Sequence, residues 1–332
     1  MVLTSEEIEE INKQPTNNPE AYNLYMRGRF FWHRRTEVDL KRSLEYFTRV
    51  LQLDSTYALS YAGLADVYFI MAWWDWYPKN EGYNMGKEYA LKALSLNDGI
   101  SEAHATLGGI LTWYDWKYKE AEKELKKAIS LNPNYATGHQ YYAELLDVLG
   151  RDREAREQID IAKKQNPYAY VMHSLSALFY YHNSEYARSI EAKKESIEIS
   201  DFLEHHNELL LKNYIRLGMT KEALEEINYI VSASDQEIQL VELNDIYLDS
   251  GIKGALIWFI DWFTVNQPYE FYTIASLYAL AEDDDRTIEW LEKGLRLGDA
   301  EIPRINNSPD FDFIREDPRF IALLGKMNLA DQ

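Results

Sequence analysis

The sequence contains no cysteine. Disulfides, thiolate metal sites and cysteine nucleophiles are therefore excluded, and a reducing compartment fits. Glycine and proline are scarce, 15 and 9 in 332 residues. A β-sandwich or barrel needs a turn every few residues, so the scarcity points away from all-β folds. Long hydrophobic runs are missing too. The most apolar stretch, GALIWFIDWF at 254–263, is too short to span a bilayer and carries Asp261. The opening MVLTSEEIEEINKQPTNNPEAY is acidic and lacks the apolar segment of a signal peptide. Positive charge is also in short supply: 35 Lys and Arg face 55 Asp and Glu, a net charge of −20. Such a surface repels phosphate backbones and anionic membrane leaflets and favours solubility. The expectation is a soluble, cytoplasmic chain that contacts neither nucleic acid nor membrane directly.

What is present is apolar material and repetition. Hydrophobic residues make up 46%, enough to bury a sizeable core. The length suits two domains or one elongated array. The stretch YKEAEKELKKAISLNPNYA (118–136) returns as DREAREQIDIAKKQNPYAY (152–170), with Pro133 and Pro167 separated by 34 positions. Its grammar is small, large, small, then a breaker: Ala121, Leu125, Ala128, Pro133 and again Ala155, Ile159, Ala162, Pro167. Weaker copies begin at Ser43, Gly86, Ser189 and Ala223. A second phrase precedes each copy, as in Tyr61, Leu64, Ala65, Tyr68 and in His139, Tyr142, Ala143, Leu146. Both phrases have helical spacing, and short turns such as LGRDR and LGMTK separate them. The unit is a helix–turn–helix of about 34 residues, repeated about eight times.

This pattern resembles the tetratricopeptide repeat (TPR). The resemblance implies an all-α right-handed superhelix, with helix pairs packed ~8–10 Å apart. Small residues let the backbones approach, and a large one fills the neighbouring gap. The expected organisation is a linker or N-terminal cap at 1–19, the array at 20–300, and a C-terminal cap at 301–332. Insertions are expected around His33–Asp39 and at 72–84, and a degenerate seventh repeat carries Ala255, Phe259 and Trp262. Asp317-Pro318 signals a helix start, and Phe320, Leu323, Leu324 and Met327 then form one apolar face that would seal the array end. The stretches at 21–68, 104–136 and 309–329 resemble the TPR regions of multidomain bacterial regulators. There such a region follows a winged-helix, AraC-type, TolB-like, kinase or cyclase domain. On that resemblance the chain is a C-terminal fragment or stand-alone version of a regulator.

Candidate chemistry is sparse. His104, His139 and His173 occupy equivalent repeat positions, one repeat or ~10 Å apart, too far for ligands that must each sit ~2 Å from one zinc. They read as packing residues, and His205 and His206 add no ligand spacing. EGYNMGKEY (81–89) lacks the glycine spacing and the hydroxyl residue of a phosphate loop. Asp283, Asp284 and Asp285 lack calcium-loop spacing and read as a turn that caps the next helix. No catalytic motif stands out, so neither enzyme activity, metal nor cofactor is expected.

What remains is recognition. Trp73, Trp74, Trp76 and Tyr77 form a candidate recognition edge, or the insertion folds back and packs; Trp113 and Trp116 pose the same choice. The resemblance places the concave groove on Tyr25, Arg29, Trp32, Asp66, Phe69, Thr112, Trp113, Gln140, Tyr141, Glu144, Asp147, Ser174, Tyr181, Lys212, Arg216 and Asp245. This mixture of aromatic and charged groups suits a peptide or a partner domain. The alternative is a small-molecule sensor with its pocket near 72–84. An open array end would also permit homo-oligomerisation.

Overall fold

The computed structural model describes residues 16–200, 208–232 and 237–330, and all regular structure among them is helical. In chain order the helices are α1 Pro19–Arg34, α2 Glu37–Leu53, α3 Ala58–Trp73, α4 Lys79–Leu96, α5 Ser101–Trp113, α6 Tyr118–Leu131, α7 Ala136–Val148 and α8 Asp152–Gln165. They continue as α9 Tyr170–His182, α10 Tyr186–Ile199, α11 Glu208–Arg216, α12 Thr220–Ser232, α13 Glu237–Asn266, α14 Phe271–Leu280, α15 Asp284–Leu297 and α16 Pro318–Lys326. Two 3₁₀ turns, Ile302–Asn306 and Pro309–Ile314, separate α15 from α16. Partners in sequence are partners in space: α1 packs on α2, α3 on α4, α5 on α6, α9 on α10, α11 on α12 and α14 on α15. None of the described helices is long and apolar enough to cross a membrane.

The chain divides into two compact units, Met1–Tyr141 and Tyr142–Gln332. In the first, the small–large–small grammar has a direct steric basis. Phe47 of α2 is fully buried. A Cβ added at Gly28 of α1 would stand 2.5 Å from its ring, and one at Gly63 of α3 would stand 2.6 Å away. One aromatic ring thus fills a space that two glycines on flanking helices leave open. Leu125 of α6 holds the equivalent place against Gly108 of α5, where a Cβ would come within 2.5 Å. Ala121, Ala128, Ala155 and Ala162 are all buried.

Local chemistry marks several helix boundaries where the turn residues predict. Asn97 Oδ1 accepts from the Gly99 amide, Asn132 Oδ1 from Asn134 and Asp54 Oδ1 from Thr56, an Asx turn recurring between helix pairs. Asp283 caps α15 by accepting from the Arg286 amide, and Asp317 caps α16 with Pro318 in its first turn. In α13 the backbone breaks at Gly251 (φ 65°, ψ −163°), a conformation that glycine adopts without strain. The two halves of α13 are the two helices of the degenerate seventh repeat, joined by that one residue. Ala255, Phe259 and Trp262 lie in its core. The insertion at 72–84 is shorter in space than in sequence, because residues from Lys79 onward are already helix α4.

Candidate interaction surfaces

In each helix pair the first helix carries the expected groove positions. In the first unit these positions are linked to one another. Arg29 of α1 donates to Asp66 of α3 at 2.8 Å, and Thr106 of α5 donates to the other oxygen of the same carboxylate. Asp66 is fully buried, and the Arg29 side chain is 14% exposed. Burial pushes the Asp66 carboxyl above its ordinary pKa, against the opposing pull of Arg29 and Thr106. Trp32 lies between two guanidiniums, Arg29 at 4.3 Å and Arg35 at 4.0 Å from its ring. Tyr25 packs on Phe47 and Tyr57, and Phe69 meets Tyr83 and, edge-on, Tyr141 at 5.4 Å. Thr112, Trp113 and Gln140 are likewise buried.

The second unit uses its first helices differently. They hold a segment of the same chain. Residues 302–311, in the two 3₁₀ turns, run along α7, α9, α11 and α14. Asn306 Nδ2 donates to the Val148 carbonyl at 2.7 Å, and Asn307 Nδ2 donates to Asp147 at 3.1 Å and to Asp152 at 2.7 Å. Arg304 lies 3.8 Å from Glu144 and 3.6 Å from Asp147. The Asp147 carboxylate also meets His182 Nδ1 at 2.7 Å.

Further along, the buried Asp310 carboxylate accepts from Tyr181 of α9 and pairs with Lys212 and Arg216 of α11. Burial alone would favour its neutral form. Lys212 first, then Tyr181 and Arg216, outweigh that cost and hold the carboxyl below its usual range. Lys212 Nζ also sits 4.7 Å from the Tyr181 ring centre. Apolar anchors complete the hold: Ile302, Ile305, Phe311 and Ile314 are all buried, with Phe311 packed against Tyr272 and Phe320.

The groove positions therefore do not form a free lining. Glu144, Asp147, Tyr181, Lys212 and Arg216 engage the 302–311 segment. Ser174 accepts from Lys193 at 3.3 Å, and Asp245 is exposed on α13. Sequence reading missed Arg304, Asn306, Asn307 and Asp310. Their signal was IPRINNSPDF, a non-periodic stretch with two prolines and two asparagines between the last repeat and the helix start at Asp317.

His104, His139 and His173 each brace the turn before their own helix. Nε2 of His104, His139 and His173 each meets the carbonyl oxygen six residues upstream, on Asp98, Pro133 and Pro167, at 2.9–3.0 Å. His205 and His206 lie outside the described residues. Among the described residues, no group of His, Asp and Glu is arranged to hold a metal. Lys87 sits inside helix α4 and pairs with Asp115, not in a loop that could wrap a phosphate. The aromatic insertion packs back on its own repeat and on the next. Trp73 meets Trp113 edge-on at 4.9 Å, Trp74 stacks near Trp76 at 5.9 Å, and Tyr77 meets Tyr68 at 5.3 Å. Within it Trp74 keeps 48% exposure.

No protein-family model matches the chain. Among curated proteins it is similar to the transcriptional regulator HilA of Salmonella typhimurium, 27% identical over 151 residues, 46% of this chain and 27% of that protein. The match thus spans about a quarter of the relative's length. Among solved structures it is similar to PilW, a type IV pilus biogenesis factor. That likeness covers 68% of this chain and 99% of that one, at 14% identity and a TM-score of 0.52. It is also similar to YrrB, described as a TPR protein with an unusual peptide-binding site, at 22% identity over 62% of this chain and 95% of that one, with a TM-score of 0.36. Paired helices with small–large–small contacts, recurring in step with the sequence period, give this chain the tetratricopeptide-repeat fold.

Proposed function

We propose that the chain is a non-catalytic protein-interaction scaffold, the tetratricopeptide region of a bacterial signalling or transcription regulator, working in the cytoplasm on a protein or peptide partner. One observation carries the reading. The first-helix faces of the second unit grip a non-repeat stretch of polypeptide, their own residues 302–311, by pairing side chains with it. Lys212, Arg216 and Tyr181 around one carboxylate are recognition chemistry: charge-assisted hydrogen bonds from two preorganised helices. Similarity to HilA over 151 residues supports the regulator context. The test is cross-linking of the tagged full chain in its source cell. The expected result is a defined protein partner whose cross-links map onto the repeats. Recovery of the chain alone under cross-linking conditions would count against a scaffold.

A further inference from the structure

The second unit's groove positions are held by the chain's own segment, anchored by four buried apolar side chains. All four are withdrawn from water, so a partner gains little by competing there. Charge points elsewhere. Residues 27–49 hold seven Lys and Arg against three Asp and Glu, in a chain whose net charge is −20. Six of its arginines fall in this stretch, and none follows until Arg151.

Structure gathers this charge on the first helix pair. Arg27, Phe30 and Arg34 follow helical spacing on α1, and Arg42 and Arg49 on α2; all five are exposed. Phe30, at 58% exposure, touches Phe31 edge-on at 5.3 Å, and Phe31 stacks on Tyr46 at 5.5 Å. Arg34 lies 6.0 Å from the Phe30 ring centre and Arg42 lies 5.5 Å from that of Phe31. The buried Asp39 carboxylate is shared by Arg34 at 2.7 Å and Arg42 at 3.6 Å, so it orients both while neutralising one charge. Arg27 and Arg49 make no ion pair among the described residues. The result is a cationic face interleaved with aromatic rings.

We propose that this α1–α2 face is the docking surface, and that its occupant is an acidic segment of a partner protein, with Asp or Glu interspersed among apolar residues. The inference rests on the scaffold reading and names its partner class. Charge complementarity selects an acidic ligand, and the exposed ring of Phe30 selects one with apolar side chains. A short peptide engages only this face, since charges beyond a Debye length of about 8–10 Å are screened. A nucleic-acid duplex, with a charge every ~1.7 Å of axis, extends past the face onto the acidic remainder.

The experiment uses the full chain and a fluorescein-labelled synthetic peptide alternating Asp or Glu with Phe and Leu, read by anisotropy at low and physiological salt. The double substitution Arg27→Glu with Arg49→Glu should weaken binding about tenfold or more and flatten its salt dependence. Phe30→Ala should weaken it about threefold. The control Arg153→Glu, on an 89% exposed side chain of the second unit, should leave it unchanged. Circular dichroism melts of all variants should coincide, because these side chains are exposed. Equal binding by wild type and the double variant would overturn the proposal, as would tighter binding of a DNA duplex than of the peptide. Cross-links to a cellular partner that avoid α1 and α2 would sink this docking surface and leave the scaffold reading standing.

Discussion

Each unit seats a buried carboxylate beside cations on its first-helix faces, Asp66 in the first and Asp310 in the second, and the two differ in where the carboxylate comes from. Asp66 belongs to a repeat helix, and its partners Arg29 and Thr106 sit on the first helices of the pairs before and after its own. It ties repeat to repeat. Asp310 belongs to a non-repeat segment and is received by Tyr181, Lys212 and Arg216. It ties the chain's end to faces that the repeat pattern leaves exposed. The same kind of helix face can therefore be consumed by the array or offered to a non-repeat segment. The neighbouring charges decide which.

Removing Asp310 should have the largest effect. Asp310→Ala strands Lys212, whose side chain is only 6% exposed, and should cost about 3–5 kcal/mol. Urea unfolding of the second unit and loss of amide protection over 302–314 are the readouts; an unchanged midpoint would break the comparison. Asp66→Ala should cost less, about 1.5–3 kcal/mol, because one cation rather than two loses its partner and Arg29 keeps some solvent contact.

Overpacking comes next. Gly63→Ala drives a methyl into the Phe47 ring and should cost about 1–3 kcal/mol, with Phe47→Leu restoring part of the loss. A thermal melt of the single and double variants reads both.

Acid should separate the two carboxylates by sign. Asp310 has a lowered folded-state pKa, so its contribution is present above the ordinary carboxylate value and is lost as pH falls through the lowered one. Asp66 has a raised pKa, so its contribution is present at low pH and declines as pH rises through the raised value. Hydrogen exchange measured while pH is lowered through about 4 should show protection lost first around 302–314 rather than around Asp66. Loss in the reverse order would refute the assignment. The smallest effect belongs to the aromatic insertion: Trp74→Ala, at a half-exposed ring, should shift stability by no more than about 0.5 kcal/mol.

Much of the architecture was legible because it is periodic. Ala121, Leu125 and Ala128 return at fixed offsets as Ala155, Ile159 and Ala162, and all six are buried. The helix starts at Asp283 and Asp317 were readable because capping is local chemistry. Pairings between distant, non-repeated residues were not legible. Nothing near Asp310 in sequence announces Lys212, Arg216 or Tyr181, since no period relates them. The fate of the aromatic insertion was undecided for the same reason: only packing shows Trp73 against Trp113.

The sequence by itself determined the helix pairs, their order and the steric rule of their contacts, because spacing along a helix fixes which side chains share a face. Tertiary structure alone decided what each face meets. Glu144, Asp147, Lys212 and Arg216 looked like open lining until residues 302–311 were seen lying across them. The physical reason is that a buried charge is satisfied by whichever opposite charge folding brings within reach, and reach in space is not written in sequence distance.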